Sequence, residues 1–237
     1  MKFTIIRFLK STFIRLRMHV FFAPFTGLFQ QVIWMTRLSK WASEHRKIAY
    51  NDFPTRWNYL KRYELYQNIL EKEGLDAPVN YLEFGVADGH SFNWWMTQNT
   101  QPQSRFYGFD TFTGLPENFG LYKKGTFHNL DHMPAIKDSR GEFLQGLFQD
   151  TLPGFLRNFQ PDKKTIIMLD ADLYTATLFV LGSLAPYLKK GDIIFFDEFV
   201  VPTHEFMAFR QFTEAWYFPL ECIGAANNYY FTAFRVG

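Results

Sequence analysis

Cysteine is almost absent from the 237 residues. Cys222 stands alone, which excludes an intrachain disulfide and a cysteine-based zinc site and fits a reducing compartment. No small-residue cleavage site follows the apolar stretch near the start, so a secretory signal is not read there. Long uncharged runs are scarce as well: the one from Met18 to Thr36 contains Pro24, Gly27, Gln30 and Gln31, which argues against a spanning helix. The dinucleotide fingerprint G-x-G-x-x-G is missing, as are internal repeats and low-complexity segments. Acids are nearly missing from residues 1–50, where nine Lys and Arg face Glu44 alone, leaving that segment at +8 and the remainder at −6. An acidic body without a basic groove excludes nucleic acid as the main partner, because phosphate contacts dominate that affinity.

Aromatic residues, by contrast, are abundant. With 20% aromatic, 47% hydrophobic and 20% charged residues, the chain reads as a folded protein with aromatic-lined pockets or greasy surface patches. The length fits one good-sized domain, residues 51–237, behind a basic, aromatic-rich helical segment, residues 1–50. Two helices are expected in that head, at 2–22 and 24–42. They would lie on a membrane surface or cover a partner subunit, with packing on the domain as the alternative. A cytoplasmic protein with membrane association through the head, and a homo-oligomer, are the matching expectations.

Organisation begins at Tyr81-Leu82-Glu83-Phe84-Gly85-Val86-Ala87-Asp88-Gly89-His90-Ser91, which reads as a strand, a tight turn and a helix start. Glycines at 85 and 89 let backbone approach a ligand, and an acid at the strand end accepts hydrogen bonds from it. A lead-in helix at 57–71 precedes it, ended by Gly74 and Pro78. Arg105-Phe106-Tyr107-Gly108-Phe109-Asp110 is a second short strand ending in an acid, at the distance where nucleoside-binding folds hold the ribose. A loop at 117–139 without periodicity reads as a lid over an acceptor. His128 and His132 lie in it four apart, without the helical pattern that would aim both at one metal. Residues 142–148 read as a further strand. Apolar runs at 164–170 and 191–196, separated by a helical pattern, imply a parallel sheet buried on both faces, and 220–225 with 229–236 form a terminal hairpin around Asn227-Asn228.

Four carboxylates then call for an explanation. Asp170, Asp172, Asp197 and Glu198 fall at the carboxyl ends of two neighbouring strands, where ligands bind in such sheets. Gathered acids repel and raise one another's pKa unless a cation or protons neutralise them. Helix capping accounts for one or two. A hard divalent cation, Mg²⁺, is the economical expectation for the rest.

Glu-x-Gly-Val at 83–86, Gly-Phe-Asp-x-Phe-x-Gly-Leu-Pro-Glu at 108–117 and Gly-Leu-Phe-Gln-Asp-Thr-Leu-Pro at 146–153 together resemble the macrocin-type and novobiocin-pathway O-methyltransferases, over roughly 62–237. The resemblance implies the class I methyltransferase fold, Rossmann-like α/β with a seven-stranded, mostly parallel sheet and a C-terminal antiparallel hairpin. It implies S-adenosylmethionine held by Glu83, Gly85, Asp88, Ser91, Asp110 and Phe112, with Gly146 and Leu147 beside adenine. It implies Asp170, Asp197 and Glu198 as metal ligands and Asp172 as the base toward an acceptor hydroxyl, with His204 in reserve. The chain departs from the pattern where the long loop replaces a helix between the second and third strands of the motif region. A scaffold that keeps the fold without catalysis is the alternative reading.

Overall fold

The computed structural model describes residues 2–52, 56–128 and 134–237. Its helices are α1 (Lys2–Arg15), α2 (His19–Phe22), α3 (Thr26–Glu44), α4 (Lys61–Glu73), α5 (His90–Gln98), α6 (Phe148–Leu156), α7 (Tyr174–Leu184) and α8 (Glu205–Trp216). The strands are β1 (Tyr50–Asn51), β2 (Val79–Phe84), β3 (Arg105–Asp110), β4 (Gly141–Gln145), β5 (Lys164–Leu169), β6 (Ile193–Phe196), β7 (Leu220–Ala226) and β8 (Phe231–Val236). They form one sheet in the order β1-β7-β8-β6-β5-β2-β3-β4. The pairs from β6 through β4 are parallel, while β8 runs antiparallel to both β6 and β7.

Period-two alternation sorts the sheet's side chains into two layers. Leu82 and Phe84 of β2 join the core beneath α6, α7 and α8, whereas Val79 and Tyr81 join the one beneath α4 and α5. Every residue of β2 is buried. Gly74 closes α4 in the left-handed conformation, φ 63°, as its place at the end of the helical pattern requires.

Three departures from the sequence reading have local causes. An eighth strand, β1, joins the seven expected because Tyr50 and Asn51 pair with Gly224 and Ala225 and so cover the outer edge of β7. The strand expected at 142–148 ends at Gln145: Gly146 has φ 144°, which breaks the ladder, and Phe148 already begins α6. The helix expected to end at residue 22 stops at Arg15, and α2 is a separate turn. Among the described residues no helix lies between β3 and β4, in keeping with the loop read there. His132 lies outside the described residues, and His128 is exposed.

The head does not divide from the body at residue 50 by packing. Trp34, Leu38 and Trp41 on α3 are buried in the α6–α8 core, with the Trp41 ring 4.8 Å from Phe199 and 5.9 Å from Phe209. Residues 2–33 bury no side chain at all.

Candidate active site

A cavity of about 520 Å³ opens at the carboxyl ends of β2, β3, β5 and β6, the place where this topology leaves strand ends uncovered. Gly85 lines it, and a Cβ there would lie 1.8 Å from the Asp170 carbonyl oxygen, so the crossing of the β2 and β5 ends tolerates only glycine. Asp110, Leu147, Asp170, Asp172, Asp197 and Glu198 also line it.

Of the residues expected around the cofactor, Gly85, Asp110 and Leu147 therefore face the cavity. The other five do not line it. Glu83 shares the Tyr81 face of β2 and is fully buried, accepting hydrogen bonds from the Tyr81 hydroxyl at 2.5 Å and from the Ser91 hydroxyl at 2.5 Å. Burial outweighs those two hydrogen bonds and pushes its carboxyl up to about 8. Ser91 is thereby spent on Glu83. Phe112 is buried against Phe143, Asp88 is exposed on the turn, and Gly146 serves the turn into α6.

Asp110 has a narrower role than two ribose hydroxyls would need. Its Oδ2 accepts the N–H groups of Val86 at 2.8 Å and Ala87 at 2.9 Å, and Oδ1 accepts that of Phe112 at 2.7 Å. A carboxylate has about four acceptor positions, so one remains for a ligand. The acid clamps two loops and offers a single hydrogen bond to the cavity. S-Adenosylmethionine fits this wall, with glycine backbone at Gly85 and one acceptor at Asp110.

On the opposite wall a residue that sequence reasoning missed changes the electrostatics. Arg62, 2% exposed at the start of α4, donates from Nη2 to Asp170 Oδ2 at 3.2 Å and to Asp197 Oδ1. Its Nε donates to the Tyr66 hydroxyl at 3.2 Å, Nη1 to the Tyr59 hydroxyl, and the rings of Tyr59 and Phe231 stand 4.6 and 5.3 Å from its Cζ. Burial and the Asp170 charge hold Asp197 well above the usual carboxylate range, and burial raises Asp170. The Tyr230 hydroxyl donates to Glu198 Oε1 at 2.5 Å, and Glu198 N–H donates to Oε2 of the buried Glu205 at 3.0 Å. The three side chains expected to ligate Mg²⁺ are thus engaged by a guanidinium and a phenol. Among the described residues no three His, Cys, Asp or Glu side chains are arranged to hold a metal ion. In this arrangement the residues do not fit a metal, because Arg62 supplies the positive charge.

Asp172 is different. It leaves β5 through the left-handed region, φ 57°, and its carboxylate has no hydrogen-bond partner among the described residues. Burial, followed by the charges of Asp170, Glu198 and Asp110, pushes it up to about 8. His204 does not line the cavity: its Nδ1 faces the Tyr174 N–H at 3.4 Å and its ring stands 4.8 Å from Phe119 in the lid loop. Glu117 of that loop accepts from the Thr175 hydroxyl at 2.7 Å, tying the lid to α7.

The parallel sheet, the glycine turn after its central strand and an acid-lined cavity at the strand ends define a class I methyltransferase-type α/β protein. Residues 82–199 match the methyltransferase domain family. The chain is 26% identical over 164 residues to an 8-demethyl-8-(2,3-dimethoxy-α-L-rhamnosyl)-tetracenomycin-C 4'-O-methyltransferase of Streptomyces olivaceus, an alignment covering 60% of this chain and 61% of that relative's length. Among solved structures it is similar to the calicheamicin methyltransferase CalS11, with TM-score 0.60 and 24% identity over 87% of this chain and 92% of that one. The O-methyltransferase NovP superposes with TM-score 0.55 and 17% identity over 75% of this chain and 78% of its own. The chain thus carries a methyltransferase domain over residues 82–199 in a class I methyltransferase fold, and the relatives it is similar to are O-methyltransferases.

Proposed function

We propose that the protein transfers a methyl group from S-adenosylmethionine to a hydroxyl on a sugar moiety of a glycosylated natural product. The observation that carries this reading is Asp172, an unpartnered carboxylate in the wall of the cavity with its pKa pushed up to about 8. A general base works best with a pKa near the working pH, and one kept free of internal hydrogen bonds is free to take a proton. The bound cofactor supplies an electrophilic methyl on a sulfonium. Asp172 takes the acceptor hydroxyl's proton as the O–CH₃ bond forms and the S–CH₃ bond breaks. Arg62 keeps Asp170 and Asp197 from adding two uncompensated charges beside that proton transfer. Gly85 and Asp110 place the cofactor, and most of the rate advantage comes from holding the two reactants in line.

Mg²⁺ carries no step in this reading, since Asp170, Asp197 and Glu198 are already partnered. The basic head belongs to it as a peripheral surface contact rather than as part of the chemistry. A scaffold without catalysis has no use for a half-buried Asp172 without a hydrogen-bond partner among the described residues. The test is transfer of labelled methyl from S-adenosylmethionine to a panel of rhamnosides and other glycosides, with and without Mg²⁺. Label in a sugar methyl ether is the expected result. Tight cofactor binding with no transfer to any hydroxyl would favour the scaffold.

A further inference from the structure

Residues 2–33 present an arm whose chemistry the body does not absorb. On α1, Ile5, Leu9 and Phe13 recur at every fourth position and form one stripe, while Arg7, Ser11 and Arg15 recur likewise and form the opposite one. Neither stripe meets the body: Ile5 is 52% exposed, Leu9 59% and Phe13 46%, and Arg7, Ser11 and Arg15 are exposed as well. Phe13 stacks only within the arm, 5.6 Å from Phe22. Apolar surface of this extent needs an occupant.

Charge selects which one. Lys2, Arg7, Lys10, Arg15 and Arg17 are interleaved with the apolar residues, and no acid precedes Glu44. A symmetric pairing of two heads would bring two sets of cations together with nothing between them. An anionic bilayer offers both an apolar interior for the Ile5 stripe and phosphates for the Arg7 stripe, which is the pattern of helices lying in an interface. No helix among the described residues is long and apolar enough to cross a membrane.

The arm also leaves the body at the end that carries the cavity. Trp34, its last turn before open solvent, packs 6.2 Å from Phe206 in the first turn of α8. Two residues earlier His204 packs on Phe119 of the lid loop, and that loop exposes Leu121 and the cavity-lining Phe127. We propose that residues 2–33 dock the protein on an anionic bilayer surface with the lid beside it, so that the acceptor is a saccharide carried on a membrane lipid. The second half rests on the O-methyltransferase reading.

Flotation of the full chain with phosphatidylcholine vesicles, with and without phosphatidylglycerol, tests the docking. Binding to the anionic vesicles that weakens with salt is expected. The pair Leu9→Asp with Phe13→Asp should lower it about tenfold or more by removing two side chains that the bilayer buries, and Arg7→Glu with Arg15→Glu should abolish the preference for anionic lipid. These positions are exposed, so calorimetric binding of S-adenosylmethionine should stay as in the wild type. Failure to float, or a dimer in light scattering that the Leu9 and Phe13 pair dissolves, overturns the proposal in favour of a second copy. For the acceptor, label transfer to a long-chain alkyl rhamnoside in vesicles is compared with transfer to methyl rhamnoside in solution. Faster transfer to the embedded sugar, lost in the Leu9 and Phe13 variant, is expected. Equal rates overturn the lipid-carried acceptor and leave the O-methyltransferase reading standing, while transfer to neither sugar counts against that reading and leaves flotation to decide the docking.

Discussion

The two walls of the cavity spend their acids in opposite ways. On the β2 and β3 side, Glu83 is enclosed by two hydroxyls behind the cavity and Asp110 is held in its wall by three backbone N–H groups, so both acids mainly build the structure. On the β5 and β6 side, Asp170 and Asp197 lean on Arg62, Glu198 on Tyr230, and Asp172 on none of the described residues. An acid at a strand end therefore marks a demand for hydrogen bonding without saying whose demand it is. Neighbouring donors decide that, and they separate building acids from the one left to react.

Removing the free acid should have the largest effect. Asp172→Asn is expected to lower turnover by roughly 10²–10⁴-fold, as loss of a general base does, while calorimetry shows cofactor affinity nearly unchanged. The wild-type kcat/KM should rise with pH through about 8, because Asp172 works only when deprotonated and its carboxyl is pushed up to about 8. The variant should lack that rise. A variant that keeps both the rate and the pH profile would end the comparison, because the free acid would then do no more than the partnered ones.

Arg62 tests the partnered side. Removing one member of a buried ion pair leaves charge without compensation and destabilises by about 3–5 kcal/mol, so Arg62→Ala should lower the denaturation midpoint markedly. With the guanidinium gone, Asp170 and Asp197 regain the oxygens that a divalent cation needs. Added Mg²⁺ should then raise the melting temperature of Arg62→Ala and leave that of the wild type unmoved. Equal stabilisation of both proteins would mean that Arg62 yields its place to the metal.

Most of the architecture was legible because it rests on periodicity: the strand, turn and helix at 79–98, the continuous apolar β5 and β6, and the terminal hairpin all follow from apolar spacing and glycine placement. β1 was not legible, since two residues in a polar stretch become a strand only because the edge of β7 is there to pair with. Arg62 was missed for a related reason. On a helix read for its apolar face, a first-turn arginine looks solvated, and its destination depends on strands more than a hundred residues away in sequence. One local signal existed: Tyr59, Tyr63 and Tyr66 surround it at helical spacing, a ring set that shelters a cation. The Glu83 reading erred on parity. Tyr81 and Glu83 share a face of β2, so an acid two residues after a core tyrosine goes under α5 and not into the cavity.

That parity has a small measurable consequence. The Glu83 carboxyl is pushed up to about 8 by burial in the folded chain, while in the unfolded chain it takes an ordinary value of about 4.3. A raised carboxyl contributes stability that is fully present below the unfolded value and is lost as pH rises through the folded one. Between about pH 5 and about pH 8 the unfolded state thus releases a proton that the folded state keeps, and Glu83 makes the protein less stable by on the order of 4 kcal/mol across that window. Glu83→Gln keeps one acceptor for the Tyr81 or Ser91 hydroxyl and has nothing to ionise. Its melting temperature should fall less than that of the wild type over the same pH range, with little difference at the acid end, where both side chains are neutral. Parallel curves would show Glu83 ionised in place, held by its two hydroxyls against burial, and would move it from the building acids toward the reactive ones.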